Sequence, residues 1–173
     1  MTLDDPMHDR AAAFRDAFDQ SFAHAVGTGP AAVVDLLAIT VGGEPYALRL
    51  SEVSGLFVDK AVMWLPSPAP ALLGVAGFRG TVLPVYDLGR LLGRDKAAAA
   101  RWLVVAGGAS VALAFERFDG FLRVPPERLM PDARDQARGH IREILDGESP
   151  RPIVHVASLL ERLVKQAAVG RPR

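Results

Sequence analysis

The chain has no cysteine among its 173 residues. Disulfides, thiol nucleophiles and cysteine-ligated zinc are therefore excluded, and a cytoplasmic location is the expectation. Neither sign of charge is in excess, because 20 Lys and Arg balance 20 Asp and Glu. Such a balance leaves no electrostatic footprint for nucleic acid or an anionic membrane surface. No apolar run is long enough to span a bilayer, so direct membrane insertion is not expected. The opening Met1-Thr2-Leu3-Asp4-Asp5-Pro6 is acidic and lacks the apolar core of a secretory signal. Patterns for a nucleophile elbow, a Walker loop or a dinucleotide-binding turn are missing. His8, His24, His140 and His155 show no metal-ligand spacing, so a metal is not expected. Asp146 and Glu148 are explained by a hairpin turn without any acid-base role. No catalytic residue is expected.

What is present is apolar and β-rich. Half of the residues are hydrophobic, enough for one domain with a good core or two small intertwined ones. Residues 1–30 form a separate extension. Phe14, Phe18 and Phe22 recur every four residues, which predicts an amphipathic helix over residues 7–26. Such a stripe must bury somewhere, either on its own chain or on a partner. Gly27-Thr28-Gly29-Pro30 then breaks the helix.

The body of the chain spans residues 31–168, with a short tail at 169–173. Leu37, Ile39 and Val41 alternate along one strand, Gly42-Gly43-Glu44-Pro45 turns, and Tyr46, Leu48 and Leu50 alternate on the return. Val53 to Val58 reads as a third strand, weakened by Gly55. Trp102–Ala106, Val111–Phe115, Phe121–Val124, Ile141–Leu145 and Pro152–Val156 read as later strands, and residues 131–140 as a polar loop. A helix is predicted over 157–167, with Ser158 as its cap. Pro84–Leu92 aligns without gaps with Pro152–Leu160, which points to two related β-subdomains, about 36–93 and 101–156.

The most informative stretch runs from Leu73 to Gly93. Gly77 and Gly80 bracket Phe78-Arg79 and are expected to supply a sharp reversal through positive φ. Thr81 to Tyr86 follows as a strand, with Pro84 marking an edge or the end of its ladder. Asp87 is a helix cap rather than a ligand, and Gly93 closes that helix. Arg79 stands at the turn, where a packed core does not claim it. The bland reading is a solvated arginine and the sharper one a docking contact.

This stretch resembles the CheW-like family of chemosensory adaptors. The matching segments are Gly77-Phe78-Arg79-Gly80, Pro84-Val85-Tyr86-Asp87-Leu88 and Leu91-Leu92-Gly93, with Gly43–Leu48 matching the opening hairpin. The resemblance implies a mainly β fold of two intertwined five-stranded SH3-like barrels with short helices, without catalysis or cofactor. It implies coupling of the cytoplasmic tip of a methyl-accepting chemoreceptor to a CheA-like histidine kinase, in a protein clustered in chemosensory arrays. By position, Val53, Leu56, Arg79, Phe118 and Phe121 would line the receptor groove, although barrel core explains Phe118 and Phe121 equally well. The chain departs from the pattern at Gly55, where an acidic residue is common, and at Gly77, where asparagine is usual. A second reading is thus a diverged adaptor that binds a receptor or another partner without kinase coupling. A β-barrel ligand binder or enzyme is the rival from another class.

Overall fold

Leu36 and Leu37 are adjacent in the chain and both are fully buried, in different apolar clusters. A strand sends successive side chains to opposite faces, so this one must lie between two apolar layers. The computed structural model describes residues 32–94, 100–132 and 139–169, with side chains as far as Lys165 in the last helix. The expected helix carrying Phe14, Phe18 and Phe22 lies outside the described residues.

Two mixed sheets hold the described strands. The first joins β1 (Val34–Val41), β2 (Glu44–Arg49), β8 (Arg117–Val124), β9 (Leu129–Pro131), β10 (Ile141–Leu145) and β11 (Arg151–Val154), in the order β8-β1-β2-β11-β10-β9. The second joins β3 (Val53–Val58), β4 (Leu72–Phe78), β5 (Thr81–Asp87), β6 (Trp102–Ala106) and β7 (Ala112–Phe115), in the order β3-β6-β7-β5-β4. Neither sheet coincides with one of the two sequence spans, 36–93 or 101–156. Each takes strands from both, because the parallel pairs β11–β2 and β5–β7 stitch the halves together.

Three clusters make the core. Leu37, Ile39, Tyr46 and Leu48 of the first sheet meet Val104, Leu113 and Phe115 of the second in a shared layer. Leu36, Ala47, Leu145 and Ile153 fill the far side of the first sheet, and Phe78, Leu83, Val85 and Leu103 that of the second. β3 and β4 are opposite ends of the second sheet, yet Phe57 and Phe78 meet edge to face at 5.0 Å. The sheet therefore curls until its edge side chains touch.

The aligned repeat appears as two hairpins that each run into a helix: β4–β5 into α1 (Leu88–Leu91), and β10–β11 into α2 (Val156–Val169). Asp87 caps α1, its Oδ1 accepting from the Arg90 N–H at 3.1 Å. At the matching place His155 Nδ1 accepts from the Ser158 N–H at 3.3 Å. The cap of α2 is thus His155 and not Ser158, whose hydroxyl lies 2.7 Å from the same ring nitrogen. Glu52 completes this end, its Oε2 accepting from the Val156 N–H at 3.1 Å.

Other local expectations are corrected. The β4–β5 turn is Arg79-Gly80, with φ of 48° and 83°, between the paired residues Phe78 and Thr81. Positive φ at both central residues is the two-residue hairpin turn that matches strand twist. Gly77 is paired with Val82 inside the strand, and a Cβ there would meet nothing within 4 Å. The ladder does not end at Pro84, since β5 pairs with β7 from Val85 to Asp87. Leu50 leaves β2 for a 3-10 turn and is 37% exposed. Pro131, at the start of the expected polar loop, belongs to β9, and His140 at its end is buried.

β8 is longer than the expected 121–124 and carries a bulge. Ala38 faces Gly120 and Ile39 faces Phe118, which leaves Asp119 as an extra residue. Its carboxylate is held by the Thr40 hydroxyl at 3.0 Å, Arg117 Nε at 2.8 Å and Arg151 Nη1 at 3.0 Å. Burial pushes this carboxyl up, but the hydrogen bonds from Arg117, Arg151 and Thr40 outweigh it and hold it below the usual range.

Two stability predictions follow from these backbone details. A Cβ on Gly74, at φ 147°, would stand 2.0 Å from the Met63 carbonyl oxygen. Gly74→Ala should cost about 3–5 kcal/mol in urea unfolding, and Gly77→Ala should stay within about 0.5 kcal/mol. For Asp119 the folded-state pKa is depressed, so its contribution is complete above the unfolded value of about 3.9 and is lost as pH falls through the folded value. Asp119→Asn should cost about 1–3 kcal/mol at neutral pH and flatten the acid limb of stability. An unchanged acid limb in urea midpoints would remove Asp119 from that role.

Candidate protein-docking groove

In a regular strand Phe118 and Phe121 would point to opposite faces. The extra residue at Asp119 restores them to one face, where their rings meet at 5.1 Å. Phe118 stands opposite Ile39 and Phe121 opposite Leu37, so both lie on the face turned toward the second sheet. β8 is an edge of the first sheet and β3 an edge of the second. Their two apolar edges form the seam.

From β3, Leu56 lies opposite Val104 and Val58 opposite Trp102, which sets them on the same inter-sheet face. Trp102 then closes the gap, its ring 5.3 Å from that of Phe118. Val53, Leu56, Trp102 and Phe118 all pack against the shared core. Phe118 therefore packs on the core and also borders this seam. Phe121 is 63% exposed and Val58 46% exposed. A cleft of about 370 Å³ runs beside Phe121, bounded by Leu50, Asp35 and Arg123.

Ion pairs mark the rim. Arg123 Nε donates to Asp35 at 2.7 Å, and Arg101 forks onto Asp59 at 2.9 and 2.7 Å. The hydrogen bond from each arginine holds its aspartate below the usual carboxylate range. These exposed pairs contribute little stability. They enclose the apolar strip with charge of both signs.

The structure thus gathers Val53, Leu56, Phe118 and Phe121. Arg79 sits at the tip of the β4–β5 hairpin, beside a buried Phe78 that belongs to the second sheet's own core and meets Phe57 of β3. It forms no hydrogen bond or ion pair with the described residues. Gly55 lies in a bulge of β3, where a Cβ would come 2.8 Å from the Phe57 ring. An acidic side chain there would have to displace that ring. Sequence reasoning missed Trp102, Val58 and Asp119. The available signal for Trp102 was its place two residues before Val104, on the face that Val104 and Ala106 bury.

Among the described residues, no group of three or more His, Asp or Glu side chains is placed to hold a metal ion. No described helix is long and apolar enough to cross a membrane.

The profile of the CheW-like domain matches residues 35–164. No curated protein matches the chain. Among solved structures, the scaffolding protein TtCheW from Thermoanaerobacter tengcongensis is similar with a TM-score of 0.63 at 17% identity. That alignment covers 71% of this chain and 89% of the other. At this identity the likeness speaks for the fold alone. The profile spans both sheets, from the first strand into α2, and so the chain belongs to the CheW-like domain family, a family of non-catalytic chemotaxis scaffolds.

Proposed function

We propose that this protein is a cytoplasmic chemosensory adaptor that binds the helical cytoplasmic tip of a chemoreceptor in the seam between β3 and β8, and holds a CheA-like kinase in the same complex. The observation that carries this reading is the exposed Phe121, set beside Phe118 and Trp102 by the bulge at Asp119. An amphipathic helix buries one apolar stripe in such a groove. The charged rim then selects its orientation. Within this reading each curled sheet is an SH3-like barrel, and residues 31–168 act as one domain. The contact of Phe57 with Phe78 supports the closed form for the second sheet. Clustering in chemosensory arrays follows from holding both partners.

Arg79 is assigned to a partner contact on a different face. Its guanidinium pairs with none of the described residues, and its hairpin tip is exposed. Gly55 favours the second reading, an adaptor that binds a receptor without the kinase, because the position holds no side chain to offer a partner.

The test uses the full chain, a receptor-tip helical hairpin and the regulatory barrel of the kinase. Phe121→Ala should weaken receptor-tip binding by about 2 kcal/mol, the range of an interface hot spot, with an unchanged melting curve. Arg79→Gly keeps the positive-φ turn, so it removes the guanidinium without straining the hairpin. Loss of kinase binding in this variant assigns Arg79 to the kinase contact. Receptor binding without any kinase binding by the unaltered chain establishes the second reading. Failure of both bindings would overturn the adaptor assignment.

A further inference from the structure

Three arginines line one cleft, and among the described residues no carboxylate lines it with them. The cleft measures about 410 Å³ and lies between α1, the proline-rich loop at Pro70 and α2. Arg90 and Arg94 come from α1 and the turn after it, Arg162 from α2. Tyr86, Leu91 and Leu163 supply apolar wall. None of these residues belongs to the β3–β8 seam.

The arginines differ in how they are held. Arg94 is neutralised: its guanidinium forks onto Glu44 and also donates to the Tyr46 hydroxyl at 2.6 Å. Arg90 donates to the Pro70 carbonyl oxygen, and its nearest carboxylate, Asp87, is 4.0 Å away with its other oxygen engaged in the cap of α1. Arg162 Nη1 lies 3.2 Å from His140 Nε2. Arg90 and Arg162 are thus steadied by a carbonyl and a ring nitrogen, which fix position without cancelling charge. Both are exposed, so an anion reaches them from solvent. An arginine already held in place loses less freedom on engaging a carboxylate.

We propose that this cleft docks a short acidic segment of a protein partner, with carboxylates on Arg90 and Arg162 and an apolar side chain against Leu91 and Leu163. Charge complementarity selects the occupant, because the walls offer uncancelled positive charge and apolar surface together. The volume falls within the usual range of about 300–1,000 Å³ for binding pockets. Such binding weakens as salt rises.

The experiment is a fluorescence-anisotropy titration of the full chain with a labelled peptide of alternating Glu and Leu, and with its Gln-Leu counterpart. The Glu-Leu peptide should bind at least about tenfold more tightly, as expected for charge-assisted pairs. Arg90→Gln with Arg162→Gln should abolish that difference, and Phe121→Ala should leave it intact. If the double variant melts early, Arg162→Gln alone serves, and retention of the difference by that variant overturns the proposal. Equal binding of the two peptides overturns it as well. Displacement of the peptide by equimolar inorganic phosphate or ATP would reassign the cleft to a small anion and overturn the peptide reading.

Discussion

β2 and β7 are apolar on both faces, so polarity alone does not set their register. Size does. Leu48, Leu113 and Phe115 face the shared core, whereas their neighbours Ala47, Ala112 and Ala114 face the narrower interiors of the separate sheets. A slip of one residue would exchange the two sets. It would leave voids in the shared layer and overpack each interior, and both faults are destabilising. The seam between the sheets has a fixed geometry because this size pattern forbids the alternative. Everything displayed along that seam inherits its precision.

The groove is what remains where the shared layer reaches its edge. In the middle, each sheet covers the other. At β3 and β8 the covering runs out, and Val58 and Phe121 emerge half-clothed. The bulge decides which side chains emerge. With Asp119 in the ladder, Phe118 and Phe121 would part company across the sheet; with it extruded, they meet edge to face. The extrusion is held by a hydroxyl and two guanidinium groups, one of them from β11, on the other side of the sheet's first hairpin. The placing of both rings therefore depends on polar contacts around Asp119.

Period-two patterns made most strands legible in the sequence, because Leu37, Ile39 and Val41 announce a buried face whatever lies above it. The α1 cap was legible for the same local reason, since Asp87 acts within its own turn. What escaped depends on distance in sequence. Trp102 means little until Phe118 of another sheet rests on it. His155 caps α2 only because β11 ends where Glu52 and Ser158 converge. Asp119 lies just outside the strand expected from Phe121, and its place in the bulge depends on Thr40 and Arg151, far away in sequence. Of the two hairpin glycines, Gly80 takes the expected positive φ and Gly77 does not. Gly77 was given the work of Arg79 because a bulky residue at positive φ is a poor first expectation.

That poor expectation carries the remaining argument. A left-handed conformation costs a non-glycine residue about 1–2 kcal/mol, and arginine lacks the short polar side chain that lets Asn or Asp offset it. Gly80 beside it shows that the turn accepts glycine. The fold would thus be served at least as well by a smaller residue at 79. The guanidinium gives nothing back to the chain, as it pairs with none of the described residues. Strain without an internal return is the usual mark of a position kept for contact with something else. A guanidinium kept at the hairpin tip at a cost to the backbone is what the proposed partner contact would use.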